Sequence, residues 1–293
     1  MAKVYIRFPG TGLGNMLLVW AKGVVFARLN NLPYTTTSWW GLHWGALLRR
    51  EKKSRLYFGY FTETPFWKRL AIKAYCTFAD IETDPVVEVV AASGSNDKKI
   101  YLFNKALTGP DVFGSIRNHS AMVTQELFNT MTPKMTSKLL EFQTPVIGVH
   151  IRRGDFKLGN QTTPLEYFIK GINVVRDSLG QHFPVTIFTD AHEEELTALL
   201  CMPHIHIAED KPDILDIILL SRSKIMILSQ SSTFGYWAAF LSDATVIRPV
   251  NDWQPFIKNN CMNGYKDIIW NYEAEESTHE LKGRLIVDKI SLV

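Results

Sequence analysis

Short apolar runs alternate with amphipathic stretches along the whole chain, and the rhythm becomes regular in the second half. There, apolar runs of strand length at residues 145–149, 185–189, 204–208, 224–228 and 244–247 are separated by stretches of helical periodicity at 163–179, 193–200, 214–222 and 234–242. β-Branched runs bounded by turn residues predict buried strands, and their strict alternation with helices predicts a doubly wound parallel sheet. Thr163 is the expected N-cap of the first of these helices, with Pro164 in the favoured first position. The first half is less regular. Residues 4–8 predict a strand and 16–29 a helix, joined by Pro9-Gly10-Thr11-Gly12-Leu13-Gly14-Asn15. A helix is expected at 67–76 and strands at 85–92 and 100–103. A further helix is expected over 125–142, with Leu127, Met131, Met135, Leu139 and Leu140 on roughly one face. The change of rhythm at Gln143-Thr144-Pro145 predicts a boundary between domains 1–143 and 144–293.

Length and composition agree with two medium-sized domains: 293 residues, 46% hydrophobic and 21% charged. The formal net charge of +3 argues against a broad nucleic-acid surface while allowing local basic patches for phosphates. Cys76, Cys201 and Cys261 are odd in number and have no metal-ligand spacing, which predicts free thiols in a reducing compartment. The chain opens without a signal-peptide pattern, and no apolar run reaches the roughly 18 residues of a membrane span. The expected location is therefore cytoplasmic. An aromatic and basic segment, with Trp39, Trp40, His43 and Trp44 followed by the run 49–55, could stack on sugars or touch an acidic acceptor or a membrane surface. More often such a cluster is a core edge beside a solvated face.

Candidate chemistry gathers at the ends of three predicted strands. His150-Ile-Arg152-Arg153-Gly154-Asp155 follows the run 145–149, Thr189-Asp190 follows the next strand, and Ser229-Gln-Ser231-Ser232-Thr233 opens a helix. In a parallel sheet such loops converge at the carboxyl edge, where α/β folds bind ligands. His150 and Arg152 share a face by strand alternation and Arg153 takes the other. Arginine grips phosphate with parallel hydrogen bonds, and hydroxyls with unpaired N–H groups at a helix start would hold the phosphate from the opposite side. Taken singly, each motif has a plainer reading: a charged strand end, a helix cap, a tight β-α turn at 9–15. Asp155 is a candidate general base or simply an ion-pair partner for an arginine.

The four motifs together resemble the α-1,2-fucosyltransferases and, more distantly, the α-1,6- and protein O-fucosyltransferases. His150 to Asp155 resembles their His-x-Arg-Arg-x-Asp motif, Phe188-Thr189-Asp190 is similar to their second motif, and Ser229-Gln-Ser-Ser-Thr-Phe-Gly-Tyr-Trp-Ala-Ala-Phe240 to their third. Gly12-Leu13-Gly14-Asn15 resembles the family's N-terminal Gly-Leu-Gly-Asn-Gln. Met16, Ala191, Ser231 and Gly235-Tyr236 depart from the usual residues, on what would be the sugar and acceptor side.

The resemblance implies an α/β fold of GT-B type, two Rossmann-like doubly wound domains facing a cleft, with the acceptor on the N-terminal side and the nucleotide sugar in the C-terminal domain. It implies inverting transfer of L-fucose from GDP-fucose to a glycan, at O-2 of a galactoside. Arg152 would hold the diphosphate, while Arg153, on the other face by strand alternation, is expected to brace the loop through Asp155 or a neighbour. His150 and Asp190 would lie near the guanine, Ser231, Ser232 and Thr233 beside the phosphates, and Gly14 and Asn15 toward fucose and acceptor. Arg152, Asp155 and Asn15 are the catalytic candidates. A leaving diphosphate needs positive charge, and the sequence holds no Asp-x-Asp pair for a divalent cation, so a metal-independent reaction without cofactor is expected. Another donor, GDP-mannose or a UDP-sugar, and a non-catalytic nucleotide-sugar-binding protein are the competing readings.

Overall fold

The computed structural model describes residues 2–41, 56–90, 98–107, 109–154, 162–259 and 264–292. The chain forms two units, with the change falling between Leu140 and Glu141.

The first unit is built on a four-stranded parallel sheet in the order β2-β1-β4-β3. Its strands are β1 (Lys3–Ile6), β2 (Tyr34–Thr36), β3 (Asp80–Thr83) and β4 (Lys99–Phe103). Helix α1 (Leu13–Leu29) is apolar on every side and buried from Leu13 to Ala27 apart from Asn15. A helix of that kind can only sit inside a core. It packs close to β1 because Gly23 presents no side chain: a Cβ there would lie 2.5 Å from Ile6 Cγ1. Around this core lie α2 (Phe66–Cys76), α3 (Ser120–Thr130) and α4 (Pro133–Leu139).

Two expectations are corrected here. The strand predicted at 85–92 lies instead at β3, and the described residues 85–90 form no strand. Pro85 cannot donate to a ladder, Asp84 turns the chain with φ 47°, and Val86 and Val89 face solvent. Asn30 then holds this stretch by accepting from the Val90 N–H and donating to the Glu88 carbonyl. The single helix predicted over 125–142 is two, broken at Met131-Thr132. Pro133 restricts the residue before it to an extended conformation, so α4 starts afresh with Pro133 in its first position.

The second unit is a six-stranded parallel sheet in the order β10-β9-β8-β5-β6-β7. The strands are β5 (Ile147–Ile151), β6 (Val185–Thr189), β7 (Ile205–Ile207), β8 (Ile225–Leu228), β9 (Thr245–Pro249) and β10 (Lys266–Trp270). Their helices are α5 (Leu165–Leu179), α6 (Thr197–Leu200), α7 (Asp213–Ser221), α8 (Thr233–Leu241) and α9 (Glu275–Leu292). β5 is buried along its whole length, as a central strand covered on both faces must be. On one face Ile147, Val149 and Ile151 join the core made with α5 and with Leu281 and Leu285 of α9. Gly148 and His150 point to the other face, toward α7 and α8. The helix that starts at Glu275 packs on α5 through Leu281 and Leu285, while Glu273, Glu275 and Glu276 at its start are exposed. The sixth strand, β10, opens with Lys266-Asp267, and those charges hide it from periodicity alone.

Arg248 of β9 joins this edge of the sheet electrostatically. Its Nε donates to Asp267 Oδ1 on β10 at 2.8 Å, its Nη2 to Asp267 Oδ2 at 2.9 Å, and its Nη1 to Asp252 Oδ2 at 2.8 Å. All three side chains are fully buried. Two carboxylates and the carbonyls of Gln254 and Pro255 saturate the guanidinium, the condition under which a buried charge is tolerated.

Gly148 is where α7 comes nearest to β5. A Cβ at this position would fall inside van der Waals contact of Ser223 Oγ and 2.6 Å from Leu220 Cδ1. Gly148→Ala should therefore destabilise the protein by about 1–3 kcal/mol through overpacking. A urea melt compared with wild type reads this directly, and an unchanged midpoint would contradict the close packing of α7 on β5.

Candidate active site

The order β10-β9-β8-β5-β6-β7 reverses its winding at β5: the chain proceeds outward through β6 and β7, then crosses to β8 and proceeds the other way. The loops leaving β5 and β8 diverge at such a switch point and leave a crevice at the carboxyl edge, where ligands bind in open α/β sheets. The three loops singled out in the sequence are the ones that leave β5, β6 and β8, and the structure brings them together.

The β5 and β8 loops are laced by Ser229. Its hydroxyl accepts from the Arg152 N–H at 2.9 Å and donates to the His150 carbonyl at 3.1 Å, while its own N–H donates to the same carbonyl at 3.0 Å. Strand pairing is thereby extended one residue past the end of the ladder. On the other side, the Thr189 hydroxyl donates to the Ile151 carbonyl at 2.8 Å. Asp190 then takes both arginines: its Oδ1 accepts from the Arg153 N–H at 2.7 Å and its Oδ2 meets Arg152 Nη1 at 2.6 Å. Gly154 makes room for this, since a Cβ there would collide with Asp190 Oδ2. The loop is thus braced through the side chain of Arg152 and the backbone N–H of Arg153, and the expected partner of the Arg153 side chain, Asp155, lies outside the described residues. The Arg152 and Asp190 side chains keep 21% and 29% exposure, so the pair orients the guanidinium without sealing it from ligands.

The serine loop is held from behind. The Gln230 N–H donates to Thr163 Oγ1 at 3.0 Å and the Ser231 N–H to Asp252 Oδ1 at 3.2 Å. Tyr236 also donates its hydroxyl proton to Asp252, which is itself fixed by Arg248. Ser231 accordingly sits in the left-handed region with φ 58°, a conformation that costs energy without such fixation. Two sequence expectations change as a result. Thr163 is no helix cap: it is buried and bonds across to Gln230, and α5 begins without a side-chain cap. The amides of residues 229–231 are satisfied by the protein, which leaves the start of α8 at Ser232-Thr233 as the part of the loop that could meet a phosphate. The Ser232 side chain is itself buried, while Ser231 and Thr233 remain partly exposed. Thr163, Tyr236, Arg248 and Asp252 were not named from the sequence as supports of this loop.

His150 is enclosed beneath the same helix start. Its ring stacks on Phe234 with centroids 5.2 Å apart, and Nδ1 has no hydrogen-bond partner. A Cβ on Gly235 would come within 3.0 Å of that nitrogen. Burial, and secondarily the Arg152 charge, lowers the His150 pKa to about 3, so the imidazole is neutral. Gly14 and Asn15 belong to the first unit, at the start of α1, where Asn15 Oδ1 is buried without a partner. Tyr57 supports this turn by accepting from the Leu13 N–H at 2.9 Å. Asp155 lies outside the described residues, as do Trp44 and the basic run 49–55. Among the described residues no cluster of three or more His, Cys, Asp or Glu side chains could hold a metal ion.

The depressed His150 pKa carries a sign. The unfolded imidazole takes up a proton below about 6.5 while the folded one does not until about 3, so this group withdraws stability as pH falls through that window. Between pH 7 and pH 5 the loss attributable to His150 is about 2 kcal/mol. His150→Gln should flatten the decline by that amount in denaturant melts at the two pH values. Equal declines in wild type and variant would show that His150 is not buried neutral.

A model of a protein family, Glycosyl transferase family 11, matches residues 117–274. No curated protein matches the chain by sequence. Among solved structures, POFUT1 is similar at 11% identity with a TM-score of 0.51, covering 83% of this chain and 94% of that one. Fucosyltransferase NodZ from Bradyrhizobium is similar at 14% identity and TM-score 0.46, covering 83% and 94%. A mutant of Arabidopsis thaliana FUT1 follows at 14% and 0.47, covering 86% and 71%. The POFUT1 likeness supports the fold, and the two parallel-sheet units are those of the GT-B type that the motifs implied. Since the family match takes in more than half of the chain and all three loops at the switch point, the chain belongs to glycosyl transferase family 11.

Proposed function

We propose that the chain transfers L-fucose from GDP-fucose to a glycan hydroxyl, O-2 of a galactoside, with inversion at the anomeric carbon and without a metal ion. The donor belongs to the C-terminal domain, 144–293, and the acceptor to the N-terminal domain, 1–143. The observation that carries this reading is the guanidinium of Arg152, oriented by Asp190 at the carboxyl edge of the switch point. Family membership narrows the chemistry to glycosyl transfer, and POFUT1, whose fold the chain shares, was solved with GDP-fucose bound.

Breaking the bond between fucose and the diphosphate leaves negative charge on the departing phosphate. A guanidinium has five N–H donors in a rigid fork, more than one carboxylate can engage, so Arg152 can keep Asp190 and still meet a phosphate. Being already oriented, it stabilises the leaving group without reorganisation during the reaction. The start of α8 at Ser232-Thr233, with its helix dipole, faces the same charge from the other strand. His150, buried against Phe234, stays neutral and brings no charge of its own. Asn15 and Gly14 act from the acceptor side, and Asp155 is the candidate base that takes the acceptor proton. The absence of an Asp-x-Asp pair from the sequence supports arginine in place of a cation.

Arg152→Ala should lower turnover by about 100-fold or more, the effect of removing one preoriented donor to developing charge. Its melting temperature should barely change, because the Arg152–Asp190 pair is partly exposed and contributes roughly 0–1 kcal/mol to stability. Near-normal transfer by this variant would remove Arg152 from the mechanism. Wild-type transfer from GDP-fucose to a β-galactoside should also persist in excess EDTA, measured as GDP release. Loss of activity that Mg²⁺ or Mn²⁺ restores would contradict the metal-free reading.

A further inference from the structure

Helix α2 carries apolar residues on two opposite faces, and among the described residues only one of them is packed against a partner. Ile72, with Tyr75 and Cys76, packs on Tyr5 and Ile100 of the first unit's sheet. On the outward side Phe66, Leu70 and Ala74 follow one another at the four-residue spacing of a single stripe, with Trp67 and Ala71 beside them, and all five are exposed. The exposure is large for such side chains: 72% for Phe66, 65% for Trp67 and 57% for Leu70, with Phe78 just beyond the helix at 85%. A surface helix ordinarily turns polar residues outward, so an outward apolar stripe marks a surface with an occupant.

The borders of the stripe identify that occupant. At about 100° per residue, Lys73 falls on one flank of the Phe66-Leu70-Ala74 line, while Lys68 starts from beyond Ala71 and Tyr75 on the other side and reaches back toward Trp67; both are exposed. The ammonium of Lys68 lies 5.3 Å from the centre of the Trp67 ring. Lysine is depleted where two protein surfaces meet, which disfavours a second copy of the chain. Aromatic and aliphatic residues on one face with flanking lysines are the composition of a helix lying in a lipid interface, where the rings enter the acyl boundary and the lysines reach the phosphates. Among the described residues no helix is long and apolar enough to cross a membrane.

We propose that the outward face of α2, through Phe66, Trp67, Leu70 and Phe78 with Lys68 and Lys73, seats the protein on an anionic lipid bilayer. The proposal is independent of the donor site, which lies in the other unit. It is tested by sedimenting the full-length chain with phosphatidylcholine vesicles, with and without phosphatidylglycerol, at low and high salt. Wild type should sediment with the anionic vesicles and be released by salt. Phe66→Ser with Leu70→Ser should weaken binding by about tenfold or more. Lys68→Gln and Lys73→Gln should each weaken it by about fivefold, on anionic vesicles only. Circular dichroism melts unchanged from wild type keep these losses separate from unfolding. The proposal is overturned if wild type ignores anionic vesicles at low salt, or if the substituted chains bind them as wild type does. It is equally overturned if sedimentation velocity shows a wild-type dimer that Phe66→Ser with Leu70→Ser dissociates, which would assign the face to a second copy of the chain.

Discussion

The contact between Arg152 and Asp190 joins the ends of two neighbouring strands, and much of the second unit serves to make it possible. The two residues meet at 2.6 Å because β5 and β6 are paired in parallel register, with His150 opposite Phe188 and Ile151 opposite Thr189. Gly154 leaves space for the carboxylate, and the Thr189 hydroxyl ties the end of β6 back to Ile151. On the other side Ser229 fixes the Arg152 backbone through its hydroxyl. The arginine is therefore positioned by three strands at once, while its guanidinium stays partly exposed. That combination suits a group whose task is to meet charge as it develops on a ligand.

The unit uses charge in two different ways. Arg248, Asp252 and Asp267 are fully enclosed and saturate one another, so they hold the serine loop and the β9-β10 edge but cannot reach a ligand. Arg152 and Asp190 are paired at the rim, where water and ligand compete for them. The inner set fixes Ser231 and Tyr236 through Asp252, and so determines where α8 begins and what part of it faces the crevice. A buried network gives precision, whereas a rim pair gives availability, and the proposed diphosphate site would draw on both.

Much of this was legible in the sequence because the second unit obeys simple periodicity. β-Branched runs such as those of β5 and β8 have no alternative but to be buried strands, and the polar residues after them must then share an edge. The supports were not legible, because they rest on contacts between residues far apart in the chain. Thr163 has the residue type and position of a helix cap, and only the approach of the β8 loop turns its hydroxyl to Gln230 instead. Asp252 has the appearance of a turn residue after β9 until Arg248, Tyr236 and Ser231 converge on it. In the first unit, the valines of residues 86–90 imitate a strand, and Pro85 with the turn at Asp84 prevents one. The outward stripe of α2 hid for the opposite reason: a helix with two apolar faces is indistinguishable from a buried one until the fold shows which face is covered.

Recognition of the diphosphate by Arg152 is tested directly by calorimetric titration of wild type and Arg152→Ala with GDP and with GMP. Wild type should bind GDP about tenfold or more tightly than GMP, and the variant should lose that preference, binding GDP no better than GMP. An Arg152→Ala protein that binds GDP as tightly as wild type would contradict the assignment of the switch-point crevice as a diphosphate site built on this arginine.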